Sequence, residues 1–366
     1  MARALSQRGH DVRVVTTDAC SPTARIEPST SNYGLDVRRL KNLNNYLAWH
    51  QHLFLPIGLG RTLSAAIANT DIVHVHEFRT LLSVAVRKQC RKFGVPYILS
   101  AHGSVLRLVN KIPWKAAFDA DFGHQILHGA AHVIAISDAE RRQYESVGVE
   151  TEKIRIIPNG IDRTEFENLP LPGLFKRKYN LQGRRIIGYI GRLNARKGLD
   201  TLVQSFKDLN ETMDDLALVL AGPDDGYGRR IQAMVNDLDL RRDVVFPGLV
   251  TSPEKLELFI DSDVIVYPSQ HEIFGLVPFE ALACGRPVIV ANDSGCGEIV
   301  ARENAGVTIT PGDTDALTSA LITTLNGGAL VDEAVENGRR FVQSELDWDT
   351  VARRTEEVYA QAITLK

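Results

Sequence analysis

The sequence predicts an α/β protein made of two doubly wound parallel sheets, and three observations carry that prediction. Apolar β-like runs alternate with amphipathic helical stretches along the whole chain. Several of these runs, "LALVLAG", "VIVYPS" and "PVIVAN" among them, are nearly continuous in aliphatic residues, as strands covered on both faces require. With 366 residues, 44% hydrophobic and 24% charged, the chain is long enough to bury two cores.

The strands follow in order. In the first half they are "DVRVVTT", "DVRRL", "DIVHVHE", "PYILSAHG", "HVIAIS" and "IRIIPNG"; in the second, "RIIGYIGR", "LALVLAG", "DVVFPG", "VIVYPS", "PVIVAN" and "GVTIT". Between the halves, "NGIDRTEFENLPLPGLFKRKYNL" is richer in proline and polar residues and reads as a linker. The expected organisation is therefore a first domain over 1–162, a linker over 163–184, a second domain over 185–342 and a helical tail over 343–366. Ligands of such sheets bind outside the carboxyl ends of the strands, which places substrates in a cleft between the two domains. The opening "MARALSQRGHDVRVVTT" reads as a helix running straight into a strand. A doubly wound domain normally begins with a strand and a glycine-containing turn, so the first domain is expected to lack that first strand.

Composition narrows the function classes. The four cysteines, Cys20, Cys90, Cys284 and Cys296, fit neither a metal-ligand spacing nor a disulfide framework, which points to reduced thiols and a cytoplasmic protein. No apolar run reaches the roughly 18 to 20 residues of a membrane span, and none reads as a signal peptide. The net charge of −3 hides an asymmetry: residues 1–162 carry 20 Lys and Arg against 14 Asp and Glu, the remainder 22 against 31. In "VRKQCRK" the pairs Arg87 with Arg91 and Lys88 with Lys92 lie at helical spacing. They make either a solvated face or part of a basic half that meets an anionic acceptor or the inner face of an acidic membrane. Nucleic acid is not an expected partner.

Chemistry concentrates in a few stretches. In "HEIFGLVPFEALACG", Glu272 and Glu280 flank a glycine and a proline. Pro278 suits the first turn of a helix and Gly285 the position past its end, which predicts a helix over about 278–284 with Glu280 in its first turn. Free N–H groups from Phe274 through Gly275, Leu276 and Val277 to Phe279 would then form an anion site between the glutamates. In "GYIGRLNARKGLD" a strand ends at Gly191, and Arg192 and Lys197 follow in a polar loop able to neutralise a diphosphate. No acidic cluster stands where it would hold a metal for that diphosphate, so a site with neither metal nor cofactor is expected. "SAHGS" sets His102 beside Gly103 at a strand end, while His74 and His76 read as strand residues bonded or packed locally. "PNGID" turns at the domain junction as a hinge, a ligand contact or a plain turn.

These motifs, in this order, resemble glycosyltransferase family 4, the retaining nucleotide-sugar transferases of GT-B architecture. "GHDVRVVT", "DIVHVHE", "SAHG", "PNGID", "GRLNARKG", "LVLAG", "VVFPG" and "HEIFGLVPFEALACGRPVI" carry the resemblance over about residues 10 to 300. It implies two Rossmann-like domains facing a central cleft, with the tail helix packing back on the first domain. It implies a UDP- or GDP-sugar donor and a glycan or lipid-linked acceptor. By the same resemblance Glu280 would bind the donor ribose, Glu272 the transferred sugar, and Phe274, Gly275, Leu276 and Val277 would supply backbone donors. Arg192 and Lys197 would hold the diphosphate at the strand end marked by Gly191. His102 would face the sugar from the other domain, and the base would lie near Gly222, Pro223, Pro247 and Gly248. The acceptor would be met by the first domain, with Arg107 and Lys111 of "GSVLRLVNKIPW" as contacts for an anionic one.

The family mechanism needs cations and N–H groups where charge builds on the leaving diphosphate. Two enzymatic alternatives are a glycosidase using the two glutamates as acid and nucleophile or base, and a nucleotide-sugar epimerase. A third reading is a sugar-nucleotide-binding protein without catalysis, to which the expected loss of the first strand and its loop points.

Overall fold

A computed structural model describes residues 1–26, 34–106 and 112–364. The twelve runs fold as twelve strands: β1 Arg13–Thr17, β2 Asp36–Leu40, β3 Val73–His76, β4 Tyr97–Ser100, β5 His132–Ala135, β6 Ile154–Ile156, β7 Arg185–Ile190, β8 Leu216–Ala221, β9 Val244–Gly248, β10 Val264–Tyr267, β11 Val288–Ala291 and β12 Val307–Ile309. Every ladder between them is parallel. The chain divides into two compact units, Met1–Pro158 with Trp348–Lys366, and Asn159–Asp347.

The first unit holds a two-stranded sheet, β1 with β2, and a four-stranded sheet in the order β3, β4, β5, β6. Strands β4 and β5 are buried along their whole length, as their aliphatic runs require. Strand β1 is only partly covered, because it pairs with β2 alone. Short polar signals set the helix ends. Thr80 accepts the Ser83 N–H at the start of Leu81–Phe93, and Gly94 closes that helix in a left-handed conformation. The helix Trp348–Thr364 belongs to this unit: Val351, Val358 and Ala362 join Ile98, Ile134 and Ile157 in one apolar cluster. Arg8 braces it at 2.7 Å from Glu356 and 2.8 Å from Asp349.

The second unit is one six-stranded sheet in the order β12, β11, β10, β7, β8, β9. Its chain steps outward from β7 through β8 to β9, then returns to the other side of β7 with β10 and steps outward again. The reversal lies between β7 and β10, the switch point at which sheets of this kind open a crevice beyond their carboxyl ends. The segment 163–184 carries two short helices, Arg163–Phe166 and Leu174–Lys178, with Phe175 fully buried. Buried Asp261 accepts the N–H groups of Gly173 at 2.5 Å and Lys176 at 2.9 Å.

One local expectation is corrected. The helix after the first glutamate runs Leu276–Ala283, two residues earlier than predicted, so Glu280 stands in its second turn. Gly275 is the reason: its φ of 70° turns the chain into the helix directly. Pro278 still falls among the first helical residues, and Gly285 takes a left-handed φ of 71° past the end, as expected.

Candidate functional site

In the second unit the switch point is spanned by an ion pair. Lys197 lies in the loop after β7, in the turn Ala195–Lys197 that Asn194 caps, and Glu272 lies in the loop after β10. Their charged atoms are 2.5 Å apart. Tyr267 at the end of β10 adds a hydroxyl 3.1 Å from the same Glu272 oxygen and 3.2 Å from Lys197 Nζ, and Ser269 Oγ donates to Glu272 at 3.1 Å. Burial works to raise the Glu272 carboxyl, but the Lys197 charge and these hydrogen bonds outweigh it and hold the group below the ordinary carboxylate value. Glu272 is thus ionised at neutral pH and unsuited to donate a proton.

Glu280 has a cation of its own, Lys255, at 2.9 Å. Each carboxylate is paired with a lysine, and Glu272, held below the ordinary carboxylate value, is not the protonated acid that a glycosidase pair needs. The N-terminus of Leu276–Ala283 has no side-chain cap, so its first N–H groups, including those of Leu276 and Val277, stay available to an anion. Phe274 is itself an anchor: its ring is buried 5.2 Å from that of Phe279 and fixes the preceding backbone.

Gly191 and the residues assigned to the base, Gly222, Pro223, Pro247 and Gly248, also come together. Gly191 N–H donates to Ala221 O at 2.9 Å, Gly222 N–H to Gly248 O at 2.7 Å, and Leu193 N–H to Pro223 O at 2.9 Å. Gly191, Gly222, Pro223, Pro247 and Gly248 thus form the carboxyl rim of β7, β8 and β9. Arg192 does not join Lys197; it is exposed and pairs with Asp225 at 3.0 Å, an acceptor shared with Asn194.

In the first unit His102 stands at the carboxyl end of β4 with φ 50°, and Glu77 at the end of β3 with φ 78°. Two neighbouring strands ending in left-handed non-glycine residues mark a place where backbone strain is held. His76 Nδ1 lies 2.9 Å from His102 Nε2, and the rings stack at 5.2 Å. His74 stacks behind His76 and is fixed on both nitrogens, by Tyr359 OH and Ser100 Oγ, each at 2.8 Å. Desolvation, then the His102 imidazole and the N-terminal ammonium, lowers His76 to about 4, and desolvation alone lowers His102. The pair is neutral at pH 7, with one ring donating to the other. Arg107 and Lys111 lie outside the described residues.

The loop bearing His102 is held by a buried carboxyl that sequence reasoning missed. Glu140 accepts the Gly103 N–H at 2.5 Å and the Ile136 N–H at 2.8 Å. Burial raises it to about 7 in spite of those bonds. A carboxyl raised from the ordinary 4.5 contributes stability that is full below about pH 4.5 and lost as pH rises to 7, about 3 kcal/mol across that interval. The lowered histidines act in the opposite sense, losing stability as pH falls, so the contrast with Glu140→Gln isolates the carboxyl. Urea midpoints from pH 5 to 7.5 should show the stability gap between wild type and variant narrowing as pH rises. A constant gap would contradict this.

A cavity in the first unit offers less chemistry. This cavity of about 510 Å³ lies at the amino ends of β4 and β5, lined in part by Arg87, Arg91, Tyr97 and Lys153. It is at the end of those strands remote from His102, where open α/β sheets do not place their ligands. Missed residues with some local signal are Tyr267 and Ser269, five and three residues before Glu272; Lys255, Glu140 and His76 gave none.

Residues 174–341 match a family model described as glycosyl transferases group 1, and residues 1–160 match one described as glycosyl transferase 4-like domain. An uncharacterized glycosyltransferase of Methanocaldococcus jannaschii is 26% identical over 378 residues, which cover 100% of this chain and 93% of that protein. Among solved structures, sucrose-phosphate synthase from Thermosynechococcus elongatus gives a TM-score of 0.76 at 25% identity, covering 100% of this chain and 92% of that one. HepE of Anabaena, solved in complex with UDP-glucose, shares the fold with a TM-score of 0.71 at 20% identity, over 91% and 87% of the two chains.

Proposed function

We propose, from the premise that this chain belongs to the glycosyl transferases group 1 family and is a glycosyltransferase, that it is a retaining, metal-independent enzyme using a nucleoside-diphosphate sugar. The acceptor is a hydroxyl of a glycan, a lipid-linked sugar or another small molecule. The observation that carries this reading is the Lys197–Glu272 pair across the switch point, beside an uncapped helix N-terminus. A diphosphate offers that lysine and those N–H groups the charge they complement, and sugar hydroxyls offer donors to the ionised Glu272. Glu280, held by Lys255, takes the ribose hydroxyls. The rim from Gly191 to Gly248 takes the base through backbone groups.

In the reaction the bond from the anomeric carbon to the diphosphate oxygen breaks while the acceptor hydroxyl bonds that carbon on the same face, and the hydroxyl proton leaves with the diphosphate. Negative charge grows on the leaving oxygens, and Lys197 with the N–H groups of Leu276 and Val277 stabilises it. His102, with His76 fixing which ring nitrogen carries the proton, is the first unit's candidate for substrate contact. UDP-glucose bound by the HepE relative supports the donor class.

The test is a thermal-shift panel with UDP, GDP, ADP and their common sugar conjugates. A ligand selective for the native state stabilises it by RT ln(1 + [L]/Kd), about 2.7 kcal/mol at a hundredfold excess over Kd. One nucleotide class should raise the melting temperature of the wild-type chain and not of Glu280→Ala. Absence of a shift with every nucleotide would overturn the reading.

A further inference from the structure

Between Asp36 and Asp71 the sequence holds no acidic residue, while it holds Arg38, Arg39, Lys41 and Arg61. Within this stretch the chain makes a closed excursion from Lys41 to Ile57. Its ends are joined by the Ile57 N–H donating to Lys41 O and the Leu43 N–H to Leu55 O, each at 2.9 Å. The inner side is firmly built. Buried Asn42 receives the Leu55 N–H at 2.7 Å and donates to Asn44 O at 2.8 Å, buried Asn45 donates to Ala24 O at 2.9 Å, and Ala48 is fully buried. The outer side presents Leu43, Tyr46, Trp49, Leu53 and Ile57, exposed by 63, 61, 47, 42 and 51%. Tyr46 and Trp49 lie one turn apart on the helix Asn45–Gln51, whose Asn45 and Ala48 are buried.

An excursion pinned by its own polar network yet turning five large apolar side chains to water is an interaction surface. We propose that it docks this protein on an anionic lipid surface. The chemistry selects that occupant. Tyr and Trp are amphipathic rings suited to the boundary between headgroups and acyl chains. Exposed Lys41 and Arg61 supply the charge that anionic headgroups complement, with no carboxylate in the stretch to oppose them. Among the described residues no helix is long and apolar enough to cross a membrane, and the contact proposed is a peripheral one. The inference adds a location to the transferase reading and does not depend on it.

Flotation of the full chain with vesicles, without donor or acceptor, tests the proposal. Vesicles of phosphatidylcholine mixed with phosphatidylglycerol should carry the protein at low salt, and phosphatidylcholine alone should carry much less. The double variant Tyr46→Ser/Trp49→Ser should partition about tenfold or more weakly while keeping its circular dichroism and melting temperature. Lys41→Glu should weaken binding at low salt and matter less at high salt. Equal binding of wild type and double variant, or no binding to anionic vesicles, would overturn the proposal. So would a dimer in solution abolished by the double variant, which would assign the surface to a second copy of the chain. None of these results touches the nucleotide panel, so the two readings fail separately.

Discussion

Replacing Lys197 by alanine is expected to lower kcat/KM for sugar transfer by about 10² to 10³, with most of the loss in kcat. The reasoning starts from position. Lys197 is the cation closest to Glu272, largely buried, and set at the strand reversal by the Asn194-capped turn. A lysine stabilising a diphosphate as it departs gains interaction as charge develops, which is the condition for an effect on kcat and not on binding alone. Among the described residues, the same change leaves the Glu272 carboxylate with Tyr267 and Ser269, so stability also falls. Breaking a fully buried pair costs about 3 to 5 kcal/mol, and the partial exposure of Glu272 places this case lower. Melting temperature and kinetics should therefore be measured on the same preparation, together with Glu272→Gln. A stable Lys197→Ala enzyme with unchanged kcat would remove the lysine from the mechanism.

Gly222→Ala should be the most damaging single-methyl addition on the rim of the second unit. At φ 143°, a Cβ there would run into the carbonyl oxygen of Gly191, a backbone atom of the adjacent loop with nowhere to yield. The expected cost is about 3 kcal/mol or more, from backbone strain and overpacking together. Weakened nucleotide binding should follow, because the contact joins the ends of β7 and β8. Gly248→Ala is the control: its φ of 79° also disfavours a side chain, but a Cβ there meets open space. That change should cost about 1 to 2 kcal/mol for the left-handed backbone alone. Equal urea midpoints for the two variants would show that the approach of the loops is not what constrains Gly222.

Much of the second unit's site is legible in the amino-acid sequence. Lys197 and Glu272 stand just past two strands that their aliphatic runs identify, and strand ends are where such folds place ligands. Gly275 and Gly285 mark the limits of the short helix, whereas Pro278 taken as the first-turn residue predicts a start two residues late. The partners of these residues are not legible. Lys255 is 25 positions from Glu280, within a helix whose sequence reads as an ordinary amphipathic stretch. Glu140 looks like a first-turn acid of a surface helix, and only the approach of the Gly103 loop reveals it as a buried acceptor. His76 reads as a strand residue because alternation along β3 does not say which neighbour waits at the strand's end.

The sequence by itself determined the twelve strands, their parallel pairing and the residue types at their carboxyl ends, because apolar runs, glycine turns and capping residues act over a few positions. The tertiary structure alone decided the order of the strands, and with it the switch point between β7 and β10 that brings Lys197 to Glu272 across 75 residues. It also decided which carboxyl is held ionised and which is raised, since those outcomes rest on the charges and N–H groups that distant segments bring within about 3 Å. Local pattern fixes what a segment becomes, whereas proton affinity and charge pairing depend on what folding sets beside it.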